Sequence, residues 1–230
     1  GTYTSTGAAI VPETGNVTVE LNGKKIDSGQ YTITVSNNIH AGTATVTVTA
    51  TAAGDYSGSA STTFFIKKTA LTIKANDQAI TYGGSITEGT DQVTAAGLCI
   101  GDTLKGITLA ASTGEVPGGD ITPYAAQIKN GSNEDVTANY DIVYETGKLT
   151  VSYMEPPAAL LYNDDIAKGW YSGDVVITAA GYTVSDTLGG EYKDSYTISA
   201  QEGTVTKTLY FKDATGHMSG GVEVMVKIDL

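Results

Sequence analysis

Apolar and polar residues alternate with a period of two in short runs along this chain. Val17, Val19 and Leu21 alternate with Thr18 and Glu20, and Tyr31, Ile33 and Val35 with Thr32 and Thr34. Ala44, Val46 and Val48 alternate with Thr43, Thr45 and Thr47; near the end Val222, Val224, Val226 and Ile228 alternate with Glu223, Met225, Lys227 and Asp229. A period of two sends one set of side chains inward and the other to water. Thr, Val, Ile and Tyr crowd these runs, and such residues favour a pleated, half-buried surface. Turn dipeptides separate them: Asn22-Gly23, Ala41-Gly42, Gly83-Gly84, Asn130-Gly131 and Gly189-Gly190. No segment carries a convincing amphipathic helical pattern. The pattern predicts an all-β chain of sandwiches or barrels.

Two places look like joints. Phe64-Phe65-Ile66-Lys67-Lys68 reads as a final strand, and Thr69-Ala70-Leu71-Thr72-Ile73 starts a new one. Leu149-Thr150-Val151-Ser152-Tyr153 is followed by Met154-Glu155-Pro156-Pro157, where the two prolines stiffen a linker and stop strand pairing. With 230 residues and 40% hydrophobic content, the chain can bury several small cores more readily than one large one. The expected organisation is three tandem small β-sandwich domains, at 1–68, 69–154 and 155–230, in an elongated array. Charge divides unevenly among them. The first has four Lys and four acids, the second four Lys and ten acids, and the third five Lys and eleven acids.

The net charge is −12, and all 13 basic residues are Lys. A negative surface without guanidinium forks argues against nucleic acid and against anionic lipid heads. No stretch is long and apolar enough to cross a membrane. Cys99 is the single cysteine, so an internal disulfide is impossible and stability must come from packing. With no signal peptide at its start, the sequence reads as a fragment whose export signal and anchor lie outside it.

Residues 1–68 resemble a bacterial surface repeat of the MBG and Ig-like type. The resemblance rests on Tyr31 through Val46, Gly54-Asp55-Tyr56-Ser57-Gly58 and Thr63-Phe64-Phe65-Ile66, with Tyr3, Ile10 and Pro12 as the opening. Residues 69–154 resemble an MBG domain of the "YGG" kind. The opening is Leu71 through Asn76 with Ile80-Thr81-Tyr82-Gly83-Gly84; the close is Ala138-Asn139-Tyr140 through Tyr144 with Gly147 through Val151. Gly83 and Gly84 permit positive φ after a strand, and Asn139 can cap a turn before the strand at Tyr140. Residues 155–230 resemble bacterial Ig-like repeats through Gly169-Trp170-Tyr171, Val175-Val176-Ile177, Gly181-Tyr182 and the strands from Val205 and Val222. The resemblance implies an adhesin-like, tandem-repeat surface protein, secreted, often from Gram-positive commensals, that serves cell adhesion or presentation.

A search for chemistry finds no machinery. His40 and His217, the two histidines, fall in turns without a His or Cys at metal-ligand spacing. Cys99, among apolar neighbours, reads as a small core residue with no base nearby in sequence. Nothing selects a carboxylate pair for glycoside hydrolysis. Asn163-Asp164-Asp165 and Asn133-Glu134-Asp135 could offer oxygens to calcium but lack EF-hand spacing. Asn16-Val17-Thr18 and Asn130-Gly131-Ser132 are formal glycosylation sequons, and no Lys–Asn isopeptide pairing stands out. Trp170, Tyr171, Tyr182, Tyr192 and Tyr196 would have to be exposed and coplanar to form a sugar platform; a core role is the commoner one.

The sequence therefore predicts a monomeric, non-catalytic stalk segment at the bacterial surface, with no catalytic, cofactor-binding or metal residues and no cofactor. It would space or present a binding or catalytic head. One alternative is a module binding carbohydrate or host glycan; another is an accessory region of a polysaccharide-degrading enzyme. A host or cell-wall glycan or protein is the class of partner such a segment would meet, with no nucleic acid and no membrane insertion.

Overall fold

The computed structural model describes residues 1–163 and 170–230. Nineteen strands are formed, with four single 3-10 turns and no α-helix among the described residues. The first six are β1 (Thr2–Thr4), β2 (Glu20–Leu21), β3 (Lys24–Lys25), β4 (Tyr31–Ser36), β5 (Gly42–Ala50) and β6 (Ser59–Lys67). Then come β7 (Thr69–Ala75), β8 (Gln78–Thr81), β9 (Val93–Ala96), β10 (Thr103–Ala111), β11 (Gly118–Lys129), β12 (Tyr140–Glu145) and β13 (Gly147–Ser152). The last are β14 (Leu161–Tyr162), β15 (Val175–Thr178), β16 (Tyr182–Ser185), β17 (Tyr196–Ile198), β18 (Gly203–Asp213) and β19 (Val222–Ile228). The chain is all-β, as the period-two pattern requires.

It divides into two compact units. One holds Gly1–Asn76, Glu88–Ala110 and Thr122–Thr146; the other holds Asp77–Thr87, Ala111–Ile121 and Gly147–Leu230. The boundaries fall between β7 and β8, between β8 and β9, within β10, within β11 and between β12 and β13.

In the first unit, one sheet has the order β1-β6-β5-β4. Its inward side chains are the alternate apolar set: Ala44, Val46, Phe64 and Ile66 are buried, with Tyr3, Ile10, Ile33 and Val35 packed against them. Val46, Phe64 and Ile66 each contribute on the order of 2 kcal/mol by leaving water. The outward set is hydroxylic. Strand register places Thr32, Thr49 and Ser59 in one row, Thr34, Thr47 and Ser61 in the next, and Ser36, Thr45 and Thr63 in a third. Thr47 and Ser61 are hydrogen-bonded across strands at 3.0 Å, the kind of pair that steadies a sheet face. A second sheet in this unit has the order β12-β7-β9. There β7 runs parallel to β12, from Thr69↔Tyr140 to Lys74↔Glu145, and antiparallel to β9. Leu71, Ile73, Ala75, Val93 and Tyr140 are its buried side chains.

In the second unit, Gly118–Ile121 of β11 pairs antiparallel with β13, and β13 runs parallel to β8. Two further sheets, β14-β15-β17 and β16-β18-β19, share one core. Val175, Ile177 and Ile198 of the first are buried with Val205, Leu209, Phe211, Val224, Val226 and Ile228 of the second. That arrangement is a β-sandwich. Tyr171 closes it: its amide donates to the Lys227 carbonyl at 2.8 Å, and its carbonyl accepts from the Asp229 amide at 2.8 Å.

The alternation over 17–21 gives less strand than its pattern suggests. Only Glu20–Leu21 is extended, paired with Lys24–Lys25 alone, and Leu21 stays exposed. Asn22 and Gly23 both take positive φ, 50° and 77°, which suits a tight two-residue hairpin turn. The ladder goes one step further, with the Ile26 amide donating to the Val19 carbonyl at 2.9 Å, and among the described residues no strand includes Val17.

Candidate functional site

The residues that carry the sequence motifs lie at two hydrogen-bonded joints. The first is in the first unit. Asn139 belongs to a 3-10 turn, Thr137–Asn139, that delivers the chain into β12. Its side chain does not cap that turn. Buried at 4% exposure, it reaches into the loop before β5: Oδ1 accepts from the Ala41 amide at 2.9 Å, and Nδ2 lies 3.1 Å from His40 Nδ1. Beside it, the Tyr140 hydroxyl accepts from the Cys99 amide at 2.9 Å and donates to Asp102 Oδ2 at 2.5 Å. Burial raises the Tyr140 pKa above the usual tyrosine value, and the hydrogen bond to Asp102 raises it further, because a phenolate there would be poorly hydrated and would face a carboxylate. Cys99 Sγ sits 3.8 Å from both the Ser5 carbonyl and Thr69 Oγ1, and Thr69 Oγ1 itself donates to the Ser5 carbonyl at 2.5 Å. A single residue, Lys68, separates β6 from β7. Residues 1–68 and the segment that follows are thus tied by side-chain as well as chain contacts.

The second joint is in the second unit, at Tyr82-Gly83-Gly84. The Tyr82 carbonyl accepts from the Met218 amide at 3.0 Å, and the Met218 carbonyl accepts from the Met154 amide at 3.0 Å. Tyr82 and Tyr153 meet edge-to-face with centroids 5.5 Å apart. Met218 belongs to the loop between β18 and β19. Asp213 Oδ1 organises that loop by accepting from the Thr215 amide at 2.9 Å, Thr215 Oγ1 at 2.7 Å and the His217 amide at 2.9 Å. These donors, the Thr215 hydroxyl foremost, hold the Asp213 carboxyl below the usual carboxylate range. Sequence reasoning missed Asp213 as a functional position, although Asp213-Ala214-Thr215-Gly216 is a recognisable Asx-turn pattern. Ser5, Asp102 and Met218 carry no local signal at all.

The other candidates disperse. His40 lies in the first joint and His217 in the second. Cys99 is half-buried and faces a carbonyl and a hydroxyl. In Asn133-Glu134-Asp135 the carboxylates close a turn: Glu134 Oε2 accepts from Asn130 Nδ2 at 2.7 Å, and Asp135 Oδ1 from the Thr137 amide at 2.9 Å. Asp164, Asp165 and Gly169 lie outside the described residues. Among the described residues no group of three His, Cys, Asp or Glu is placed to hold a metal ion. Of the five aromatics, Trp170 is 47% exposed while Tyr171 is 6% exposed. Lys227 lies over the Trp170 ring at 5.6 Å, and Lys212 over the Tyr192 ring at 4.7 Å. Tyr196 spends its hydroxyl on Asp186 at 3.0 Å.

With both motif ends placed, the family comparison decides the central segment. Residues 71–150 match the MBG domain (YGX type). The Tyr-Gly-Gly turn and the Asn139-Tyr140 pair are therefore residues of an MBG domain, set against the residues before and after it. No curated protein matches the chain. Among solved structures, the N-terminal eight Ig domains of Down Syndrome Cell Adhesion Molecule isoform 1.30.30 are similar at 15% identity and a TM-score of 0.23, with 91% of this chain and 32% of that one covered. The chain thus spans about a third of that neighbour. Protocadherin Gamma B2 extracellular cadherin domains 3-6 are similar at 8% identity, TM-score 0.20, covering 89% and 67%. The Bacteroides ovatus mixed-linkage glucan utilization locus SGBP-B, in complex with a mixed-linkage heptasaccharide, is similar at 14% identity, TM-score 0.17, covering 99% and 66%. Global superposition on all three is poor. Among the described residues no helix is long and apolar enough to cross a membrane.

Proposed function

We propose that this chain is a non-catalytic extracellular spacing segment of a bacterial surface protein, made of three sandwich modules at 1–68, 69–154 and 155–230. Its task is to hold a binding or catalytic head of the full-length protein at a distance from the cell. The observation that carries this reading is the use of the MBG motif residues. Asn139 and Tyr82-Gly83-Gly84 are engaged with neighbouring parts of the chain, where a ligand-binding motif would be turned to solvent. A flexible linker would leave backbone groups to water; here the amides of Ala41, Met154 and Met218 are bonded across the joints. The outward hydroxyl rows on β4, β5 and β6 suit a hydrated surface, and net negative charge keeps such a segment soluble.

Glycan binding is the second reading, favoured by the exposed Trp170. Calorimetric titration of the chain with a panel of plant, bacterial and host glycans separates the two. No saturable heat is expected. Saturable binding that disappears in Trp170→Ala, with the circular dichroism spectrum unchanged, would replace the spacing role with a recognition role. Turnover of any of those glycans would overturn the non-catalytic assignment.

A further inference from the structure

The Tyr-Gly-Gly turn of the MBG domain has no role in that domain's own ladder beyond the Tyr82 amide, which donates to the Ser152 carbonyl at 2.8 Å. What it does have is a neighbour shaped to it. An ideal Cβ on Gly83 would lie 2.4 Å from the Gly216 carbonyl oxygen and 3.2 Å from Met218 Cε. On Gly84 it would lie 2.9 Å from the Thr81 carbonyl oxygen of its own turn and 3.3 Å from His217 Nε2. Gly83 is therefore required twice. Gly83 has φ +92°, which L side chains rarely adopt, and its missing side chain leaves the space that the loop fills.

We infer that Tyr82-Gly83-Gly84 is a docking socket for a preformed hairpin loop of the module that follows, here Asp213–Met218. This rests on reading 155–230 as a module of its own and deepens the spacing role by naming the surface that fixes the connection. The socket supplies a carbonyl acceptor at Tyr82, a side-chain-free shelf at Gly83 and Gly84, and the Tyr82 ring stacked edge-on against Tyr153. The loop supplies the complementary set. Gly216, at φ +95°, directs its carbonyl to the shelf, and Met218 presents an amide to Tyr82. Met218 also covers the shelf with its thioether methyl, a flexible apolar group that fills irregular gaps. Asp213 fixes the loop by accepting three hydrogen bonds, so little conformational entropy remains to be lost on docking. The fitting partner is thus a β-hairpin loop with an Asx-turn aspartate, a glycine three residues on and an apolar residue two further. A neighbour lacking these would dock poorly, so the motif selects which repeat follows an MBG domain.

The test is amide hydrogen exchange on the whole chain. In Gly83→Ala the Met218 and Met154 amides should exchange at least about tenfold faster, while amides within β13 and β19 keep their protection. Gly58→Ala controls for backbone strain, since Gly58 has φ +93° and nothing within 4 Å of an added Cβ; it should leave Met218 unchanged. If Gly83→Ala instead loosens β8 and β13 as well, Asp213→Ala decides, because it disorganises the loop without touching the socket. It should release the same two amides. Protection of Met218 that survives both Gly83→Ala and Asp213→Ala overturns the socket. Glycan titration can fail or succeed independently, so loss of the spacing reading would not be mistaken for loss of the socket.

Discussion

Removing one oxygen from the first joint should have a large effect. In Tyr140→Phe the ring still fills its site, where Tyr140 is 3% exposed, but two hydrogen bonds vanish. The Cys99 amide loses its acceptor and the Asp102 carboxylate loses its donor. A neutral buried hydrogen bond contributes about 1 kcal/mol net, one to a charged group about 1.5–3, and an orphaned buried amide costs about 1–3. These overlap, so the expected loss is about 2–4 kcal/mol, a large part of the stability of an ordinary small domain. Native-state hydrogen exchange at β7 and β12 amides would read this as a roughly 30- to 1,000-fold acceleration. A second readout separates the hydroxyl from general packing. The Tyr140 pKa is raised in the folded chain, so its stabilisation is complete below the unfolded tyrosine value of 10.0 and fades as pH rises above it. The wild-type chain should lose protection in β7 and β12 above that pH, and Tyr140→Phe should lack this component. A change below about 0.5 kcal/mol, within the range of ordinary surface substitutions, or an alkaline limb identical in both chains, would refute the reasoning.

Asn139→Ala removes the acceptor of a part-buried amide and should cost about 1–2 kcal/mol, with the fastest new exchange at Ala41. Asp213 has a depressed pKa, so it stabilises the loop above the ordinary aspartate value of 3.8 and stops doing so as pH falls through the lowered one. Protection factors at Met218 should therefore drop on acidification below that value, and less steeply in Asp213→Asn. Lys148 and Asp120 form a 2.6 Å ion pair with side chains 75% and 46% exposed, so Lys148→Ala should leave the midpoint of urea denaturation essentially unchanged.

Strand positions were legible wherever the inward set is apolar and a sheet neighbour exists, inside a sheet as for β5 or at its edge as for β19. β5 and β19 follow their alternation residue by residue. The 17–21 segment fails because alternation states which face is apolar, and says nothing about whether a partner strand is present. The motif residues of the MBG domain were legible as motifs, and Gly83 as a positive-φ position. Their engagement was not. Asn139 meets Ala41 across 98 positions and Cys99 meets Ser5 across 94, and such separations leave no trace in local spacing. Cys99 looked like a core residue from its apolar neighbours, yet Ile100 beside it is fully exposed, because Gly97 and Gly101, both at positive φ, turn this stretch away from any strand.

The parallel pairings carry a mechanical meaning. β1 lies parallel to β6 from Thr2↔Phe65 to Thr4↔Lys67, β7 to β12, β8 to β13, and Tyr171 makes a parallel bridge to Ile228. In each case an early strand of a sheet region lies beside a late strand running the same way. Tension applied through the chain pulls such strands in opposite directions along their length. Every hydrogen bond of the ladder is then strained at once, in shear, instead of opening one after another from an end like a zipper. Resistance to forced unfolding is governed by the unfolding rate and not by equilibrium stability. A segment with modest cores but parallel terminal ladders is therefore expected to resist a steady pull better than its content of buried side chains would suggest.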